Sequence, residues 1–301
     1  MEATGPLLSL RACRLCPRKC GADRTAGQTG FCGMGATLTA ARAALHYWEE
    51  PPISGSRGSG AVFFSGCGLG CAFCQNTEIS HGRFGKALST GRLREIFQEL
   101  IDQGAHNINL VTPTHFLPQI LPALEPRLPV PVVYNCGGYE RVETLRLLEG
   151  KVDIYLPDLK YAEPELAAEL SAAPDYFPVA ARAIDEMFRQ TGPVQYDDDG
   201  MLKKGVIIRH LVLPGHVQNS LKVLDYIAEH FPKGSILLSL MAQYVPSGSV
   251  RSTPPYDRTV SQEEYDAVTD WMYMLGLEDG FLQEPAAATD EYLPDFSLEG
   301  I

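Results

Sequence analysis

From Ala61 onward, short apolar runs alternate with longer segments in which apolar residues recur every three or four positions. The runs "AVFFSG", "NINLVT", "VPVVYN", "VDIYLPDLK", "GVIIRHLVLPG" and "SILLSLMAQYV" predict six strands. Between and after them, "RLREIFQELIDQGA", "FLPQILPAL", "RVETLRLLEG", "YFPVAARAIDEMFRQTG", "NSLKVLDYIAEHF" and "SQEEYDAVTDWMYMLG" carry the helical period. Strands separated by helices pair in parallel through right-handed crossovers, which leaves an open doubly wound sheet or a barrel of six βα units. In a parallel barrel, ligands gather at the C-terminal ends of the strands.

Ahead of this pattern, residues 1–55 hold many Arg and Lys and little periodicity, ending in "EEPPISGSRGSG". They predict a small metal-ordered module and a wrapping loop, followed by a core over 56–276 and an acidic tail over 277–301 that packs on the barrel. "GSRGSG", Gly55 to Gly60, lacks the G-K-[ST] of a phosphate loop and reads as a lid or a plain turn. The 301 residues, 45% hydrophobic and 21% charged, suit one large core with a small appendage. Formal charge is −12, and beyond Arg258 there are eleven Asp and Glu but no Lys or Arg, which argues against a nucleic-acid partner. The first residues lack a signal-peptide core and no later run reaches the about 18 apolar residues of a membrane span, so the expected location is the cytoplasm, with no membrane partner.

Composition alone misses the cysteines. Eight are present, seven in two tight groups, and such spacing in a chain of this size points to metal ligation rather than a disulfide framework. Cys67, Cys71 and Cys74 form C-x3-C-x2-C where the "AVFFSG" strand ends, with no fourth cysteine nearby. A [4Fe-4S] cluster on three thiolates keeps one iron free to bind something else. Zinc suits three thiolates less well, since its structural sites are closed by four protein ligands. Cys13, Cys16, Cys20 and Cys32, in C-x2-C-x3-C-x11-C, make a complete set of four for structural zinc or a second iron–sulfur cluster.

The C-x3-C-x2-C motif, with the aromatic Phe73 before its third cysteine, resembles the radical S-adenosylmethionine (AdoMet) superfamily. "CRLCPRKC", "GQTGFC", "LHYWEEPPISGSRGSG", "NLVTPTH", "DIYLPDLKY", "IRHLVLPG" and the closing "YLPDF" extend the resemblance over nearly the whole chain, to the branch similar to pyruvate formate-lyase activating enzyme. The resemblance implies an α/β fold, a partial (β/α)6 radical AdoMet barrel with a small cysteine-rich N-terminal metal-binding module. It implies an oxidoreductase whose cluster, on Cys67, Cys71 and Cys74, binds AdoMet and cleaves it reductively to a 5′-deoxyadenosyl radical. A low-potential donor of the flavodoxin or ferredoxin kind would supply the electron, and the radical would abstract hydrogen from a glycine of a partner protein or from another peptide. A small-molecule substrate stays open, as does a non-catalytic iron–sulfur or zinc protein, a carrier or scaffold.

Strand alternation adds further candidates for the cofactor. Asp158 and Lys160 fall on one side of the fourth strand, as a cofactor pair or a surface ion pair. Arg209 shares a face with Ile207 and Leu211, and if that face is buried it needs an anion, from a ligand carboxylate or from within the protein. His210 then points away, as a packed or solvated histidine. Asn135 ends the third strand, and Gln243 and Tyr244 are expected to end the sixth. Cys136 reads as a buried thiol, with hydrogen relay as its more speculative use. Superfamily members carry a glycine-rich "GGE" turn after the second strand for the AdoMet amino group, whereas "VTPTH" stands here, so Thr112 and Thr114 are either its substitutes or helix caps.

Overall fold

The computed structural model describes residues 7–283 and 294–301. Its strands in chain order are β1 (Thr39–His46), β2 (Ser59–Phe64), β3 (Lys86–Ala87), β4 (Ile108–Val111), β5 (Val132–Cys136), β6 (Ile154–Pro157), β7 (Gln195–Tyr196), β8 (Leu202–Leu211), β9 (Leu237–Met241) and β10 (Gly280–Leu282). They join in the order β10-β9-β8-β6-β5-β4-β2-β1-β3, with β7 on β8. From β2 to β10 every neighbouring pair in that order is parallel. Those strands also succeed one another in the sheet as they do along the chain, so the winding never reverses. A doubly wound sheet requires a reversal; the fold is a partial barrel, with β10 at one edge and β3 at the other among the described residues.

The two faces of the strands bury different things. Outward-facing Tyr134, Tyr155, Val206, Ile208 and Leu238 pack with Leu93, Ile120, Ile184 and Leu224 of the surrounding helices. Inward-facing Val133, Ile154, Leu156, Ile207 and Leu237 form a separate cluster around Ile53. The helices keep their sequence period: in Tyr176–Thr191 the buried side chains include Ala180, Ala183, Ile184 and Met187. Side-chain caps fix two of their starts. Ser89 accepts from the Arg92 amide at 3.0 Å, and Ser261 with Glu264 forms a reciprocal capping box.

Four strands lie outside the expected six: β1, β3, β7 and β10. Residues 39–46, read as part of a wrapping loop, are β1, antiparallel to β2. "TAARAALH" hides this because alanine is a poor strand former and gives little period-2 contrast. The segment that does wrap is 47–58, and it turns inward. Pro51–Ser54 forms one helical turn that fully buries Ile53 inside the barrel. Asn107 Nδ2 holds it by donating to the Ile53 carbonyl at 2.7 Å, and the Glu49 amide donates to Ser54 Oγ at 3.0 Å.

The C-terminal residues lie beside β1: the Leu298 amide donates to Ala41 O at 3.1 Å and the Ala43 amide to Glu299 O at 2.8 Å. Phe296 is buried against Phe63, with ring centroids 5.6 Å apart. Tyr292 and Leu293 of "YLPDF", and residues 284–293 of the acidic tail generally, lie outside the described residues. No helix among the described residues is long and apolar enough to cross a membrane.

Because Ile53 fills the inner cluster from an irregular segment, Ile53→Ala leaves a cavity that strands on all sides resist closing. It is expected to cost about 2–5 kcal/mol, measured as a lower midpoint at unchanged slope in urea unfolding; a loss below about 0.5 kcal/mol would mean that the turn does not plug the barrel.

Candidate active site

The chain leaves β2 as Ser65–Asn76, the loop that carries Cys67, Cys71 and Cys74. Gly66 starts it in a left-handed conformation, and a side chain there would run into Met34 and the Cys32 carbonyl. Backbone bonds then tie the loop to distant parts of the barrel, from the Ala72 amide to Leu170 O at 2.7 Å and from the Ser249 amide to Ala72 O at 2.9 Å. Phe73 is buried, edge-on to Tyr161 at 6.4 Å and 6.0 Å from Tyr244. Donors face the sulfurs: the Leu69 amide lies 3.4 Å from Cys67 Sγ and the Ser80 hydroxyl 3.2 Å from Cys74 Sγ, and the Gly70 and Asn76 amides point at the same two sulfurs.

Burial pushes the Cys67 thiol up to about 12, and the adjacent Cys71 and Cys74 push the same way. The protein alone therefore keeps Cys67 protonated, and a thiolate there needs the positive charge of a metal. Among the described residues no three Cys, His, Asp or Glu stand at the spacing of ligands around one ion. A cubane cluster holds its thiolates at separate corners, wider apart than ligands of a single ion, and hydrogen bonds to sulfur suit it. The donor set and its surroundings thus fit an iron–sulfur cluster.

These cysteines share one cavity of about 260 Å3 with Phe73, Thr112, Asn135, Asp158, Lys160, Arg209 and Gln243. The cavity opens at the C-terminal ends of the parallel strands. Its floor is a chain of charges. Arg209 donates from Nε to Asp158 Oδ1 at 3.0 Å, from Nη1 to Glu49 Oε2 at 3.2 Å and from Nη2 to Asn135 Oδ1 at 2.6 Å. Lys160 Nζ pairs with Asp158 Oδ2 at 2.6 Å and lies 5.9 Å from the Phe73 ring centroid, toward the cysteine loop. Burial opposes charge on all three, yet Lys160 and Arg209 hold the Asp158 carboxyl below its usual range. Conversely, burial would lower Arg209, but Asp158, Glu50 and Glu49 raise it further and keep it charged.

The anion that a buried Arg209 requires is therefore supplied from within, by Asp158 and Glu49. Glu49 was not singled out in the sequence, because its place depends on the 47–58 segment turning into the barrel. Asn109 and Asn135 donate to its Oε1 at 2.9 Å and 3.2 Å. Glu50, next to it, is buried too, and burial raises its carboxyl. Trp48 of the same segment and His46 at the end of β1 also line the cavity.

The remaining candidates divide. Thr112 lines the cavity with φ +58°, a left-handed backbone that a β-branched residue rarely adopts. Thr114 does not: its hydroxyl donates to Glu140 Oε1 at 2.6 Å and lies 2.9 Å from Tyr134 Oη, and Pro113 rather than either threonine occupies the cap position. Asn135 lies within β5, one residue before its end, and lines the cavity. β9 ends at Met241, so Gln243 and Tyr244 follow the strand instead of ending it. Gln243 lines the cavity, while Tyr244 is core, donating to Tyr256 O at 2.8 Å. Cys136 is buried and lines the cavity. His210 is fully buried outside it, bonded to Leu159 O at 2.7 Å and Ser220 Oγ at 2.9 Å, and burial lowers it to about 4. Residues 55–57 are a turn, in which Arg57 Nε donates to Gly104 O at 3.0 Å.

No protein-family model matches the chain. An uncharacterized protein of Methanocaldococcus jannaschii is 29% identical over 265 residues, which are 84% of this chain and 72% of that one. Among solved structures, methylornithine synthase (PylB) is 16% identical with a TM-score of 0.48, covering 69% of this chain and 59% of that one. SuiB of Streptococcus suis, solved with S-adenosylmethionine, is 15% identical with a TM-score of 0.47, covering 75% and 47%. A domain of pyruvate-formate lyase-activating enzyme from Bacteroides vulgatus is 13% identical with a TM-score of 0.37, covering 65% and 91%. The chain thus spans about three fifths and about half of the first two solved structures.

Behind the cavity, Glu140 is a further group without a sequence signal. Burial pushes its carboxyl up to about 8, against the hydrogen bonds from Thr114 and Tyr134. A carboxyl raised on folding stabilises the fold while it stays protonated in both states, and that contribution is lost as pH climbs from its unfolded value near 4.5 to about 8. Relative to Glu140→Gln, the wild-type protein is expected to lose stability across that window and to run parallel above it in urea unfolding; parallel curves throughout would mean that Glu140 folds ionised.

Proposed function

We propose that the chain is an iron–sulfur enzyme of the radical AdoMet kind, with the cluster on Cys67, Cys71 and Cys74 and AdoMet in the cavity beside it. One observation carries this reading: the three cysteines open onto the cavity whose floor holds Lys160, Asp158, Arg209 and Asn135. When bound, cluster and AdoMet supply one chemistry, in which an electron breaks a carbon–sulfur bond to give methionine and a 5′-deoxyadenosyl radical, which takes a hydrogen atom from substrate to become 5′-deoxyadenosine.

The chain's own residues bind and orient. Lys160 has one carboxylate partner, Asp158 at 2.6 Å, and faces the cysteine loop, which suits it to the AdoMet carboxylate. Arg209 is a positioning residue: with its charge matched by Glu49 and Asp158, it fixes Asp158 and the Asn135 amide. Thr112, which lines the cavity on a left-handed backbone, is suited to offer the AdoMet amino group an acceptor. Phe73, Leu69 and Met241 give the cavity apolar walls that exclude water.

The substrate we favour is a glycine of a partner protein or another peptide carbon. A cavity of about 260 Å3 sits below the roughly 300–1,000 Å3 of ordinary ligand pockets. Once a nucleoside occupies it, a second small molecule has little room, whereas an extended segment of another chain reaches in from outside.

Anaerobic loading with iron and sulfide, then dithionite and AdoMet, is expected to yield methionine and 5′-deoxyadenosine in equal amounts. Cys71→Ser should lose iron and cleavage together. Lys160→Met should keep its iron and weaken AdoMet binding roughly tenfold or more, the loss of a charged hydrogen bond. A cluster-loaded protein that neither binds nor cleaves AdoMet would overturn the reading.

A further inference from the structure

Arg24 is a large, fully charged side chain at 1% exposure. Its guanidinium donates to Gly35 O at 2.8 Å and 2.5 Å and to His115 O at 2.6 Å, and its plane lies 5.6 Å from the Phe116 ring. Those carbonyls accept from each of its three nitrogens but do not balance its charge. Among the described residues no carboxylate pairs with it, although fourteen other ion pairs are present. A buried cation without an anion is costly. The groups beside it that are able to become anions are thiols: Cys13 Sγ lies 3.8 Å from Nη1, and Cys32 is near enough to feel its charge.

Cys13 is one of four cysteines that two turns bring together. The Cys13 amide donates to Ala22 O and the Gly21 amide to Cys13 O, both at 3.0 Å, which folds the Cys16–Cys20 segment back on Cys13. The Gly33 amide donates to Gly30 O at 2.9 Å in a second turn that presents Cys32. The two turns face each other at Gly30, whose Cβ position lies 3.2 Å from Cys20 Sγ and 3.4 Å from Cys32 Sγ. Amides two residues downstream point back at sulfur, from Arg18 to Cys16 and from Met34 to Cys32. The barrel loop repeats the arrangement, with Leu69 on Cys67 and Asn76 on Cys74.

The group also sits directly on that loop. Gly68, between Cys67 and Cys71, would place a Cβ 3.6 Å from Cys16 Sγ. Arg18 clamps the junction, donating to Gly68 O at 3.0 Å, Leu69 O at 2.9 Å and Ser171 O at 2.6 Å while stacking 3.9 Å over Phe31.

We propose that Cys13, Cys16, Cys20 and Cys32 hold a metal–thiolate centre of net negative charge, with Arg24 as its buried counter-cation, and that this centre braces the cysteine loop of the barrel. No three of these sulfurs stand at the spacing of ligands around one ion, so the set suits an iron–sulfur cluster as it stands and zinc only if the turns draw closer on binding; in both, four thiolates carry charge that the metal does not fully cancel. The proposal does not depend on the AdoMet reading, since it concerns residues outside the cavity.

The test uses the full chain with Cys67, Cys71 and Cys74 all changed to Ala, purified without oxygen, and counts zinc, iron and acid-labile sulfide. Either about one zinc per chain without sulfide, or iron with matching sulfide, supports the proposal and names the metal; a folded variant with neither overturns it. Should the triple variant be insoluble, comparing wild type with Cys20→Ser gives the same subtraction, Cys20 being exposed and the least needed for packing. Arg24→Met is expected to speed metal release to a chelator roughly tenfold or more, with Arg24→Lys nearer to wild type; equal rates in all three would remove Arg24 from the account. Hydrogen exchange at Gly66–Cys74 should quicken in Cys20→Ser, and unchanged exchange would refute the bracing.

Discussion

The guanidinium of Arg209 is the charge around which the upper interior of this barrel is arranged. A cation in that position survives only if anions come to it, and they come from two directions. Asp158 arrives from the end of the neighbouring strand, in bridge register with Arg209 itself. Glu49 arrives from outside the parallel sheet, on a segment whose next helical turn fills the barrel with Ile53. The apolar plug and the charged floor are thus parts of one inward excursion of the chain, and the cavity exists because that excursion stops below the strand ends. Lys160, paired with the other oxygen of Asp158, is left as the cation facing the cysteines.

The cysteine loop is fixed in the same way, by groups remote in sequence. Residues 13–35 pack on one side of it, through Arg18, Gly66 and Gly68. Leu170 and Ser249 bond its other side. If the loop holds the proposed cluster it gains from such bracing, because ligand geometry set by surrounding packing is better defined than geometry set by a free loop. The N-terminal module is in this sense continuous with the cavity wall.

Much of this was readable in the chain. The β-then-α alternation gave the parallel order, and period-2 alternation put Asp158 with Lys160 and turned Arg209 inward and His210 outward. The cysteine spacing marked the loop. What escaped reading depended on long-range packing or on a break in local periodicity. β1 is built on alanines that carry no strand signal. Glu49 and Glu50, ahead of a Pro-Pro pair, carry no mark of burial in the sequence. At Val111 and Thr112 consecutive residues both line the cavity, which strict alternation forbids; the left-handed backbone of Thr112 makes it possible and sends Thr114 to the other side, toward Glu140. A backbone outlier of this kind stores on the order of 1–3 kcal/mol and tends to persist where a site requires it.

The central claim is that three thiolates hold a cluster with one iron open to AdoMet. The most direct measurement is the electron paramagnetic resonance spectrum of the dithionite-reduced, cluster-loaded protein before and after AdoMet is added. The account predicts that AdoMet shifts the g-values of the Cys67–Cys71–Cys74 cluster and that the shift is absent from a Cys71→Ser protein; a reduced cluster spectrum that AdoMet leaves unchanged would contradict it.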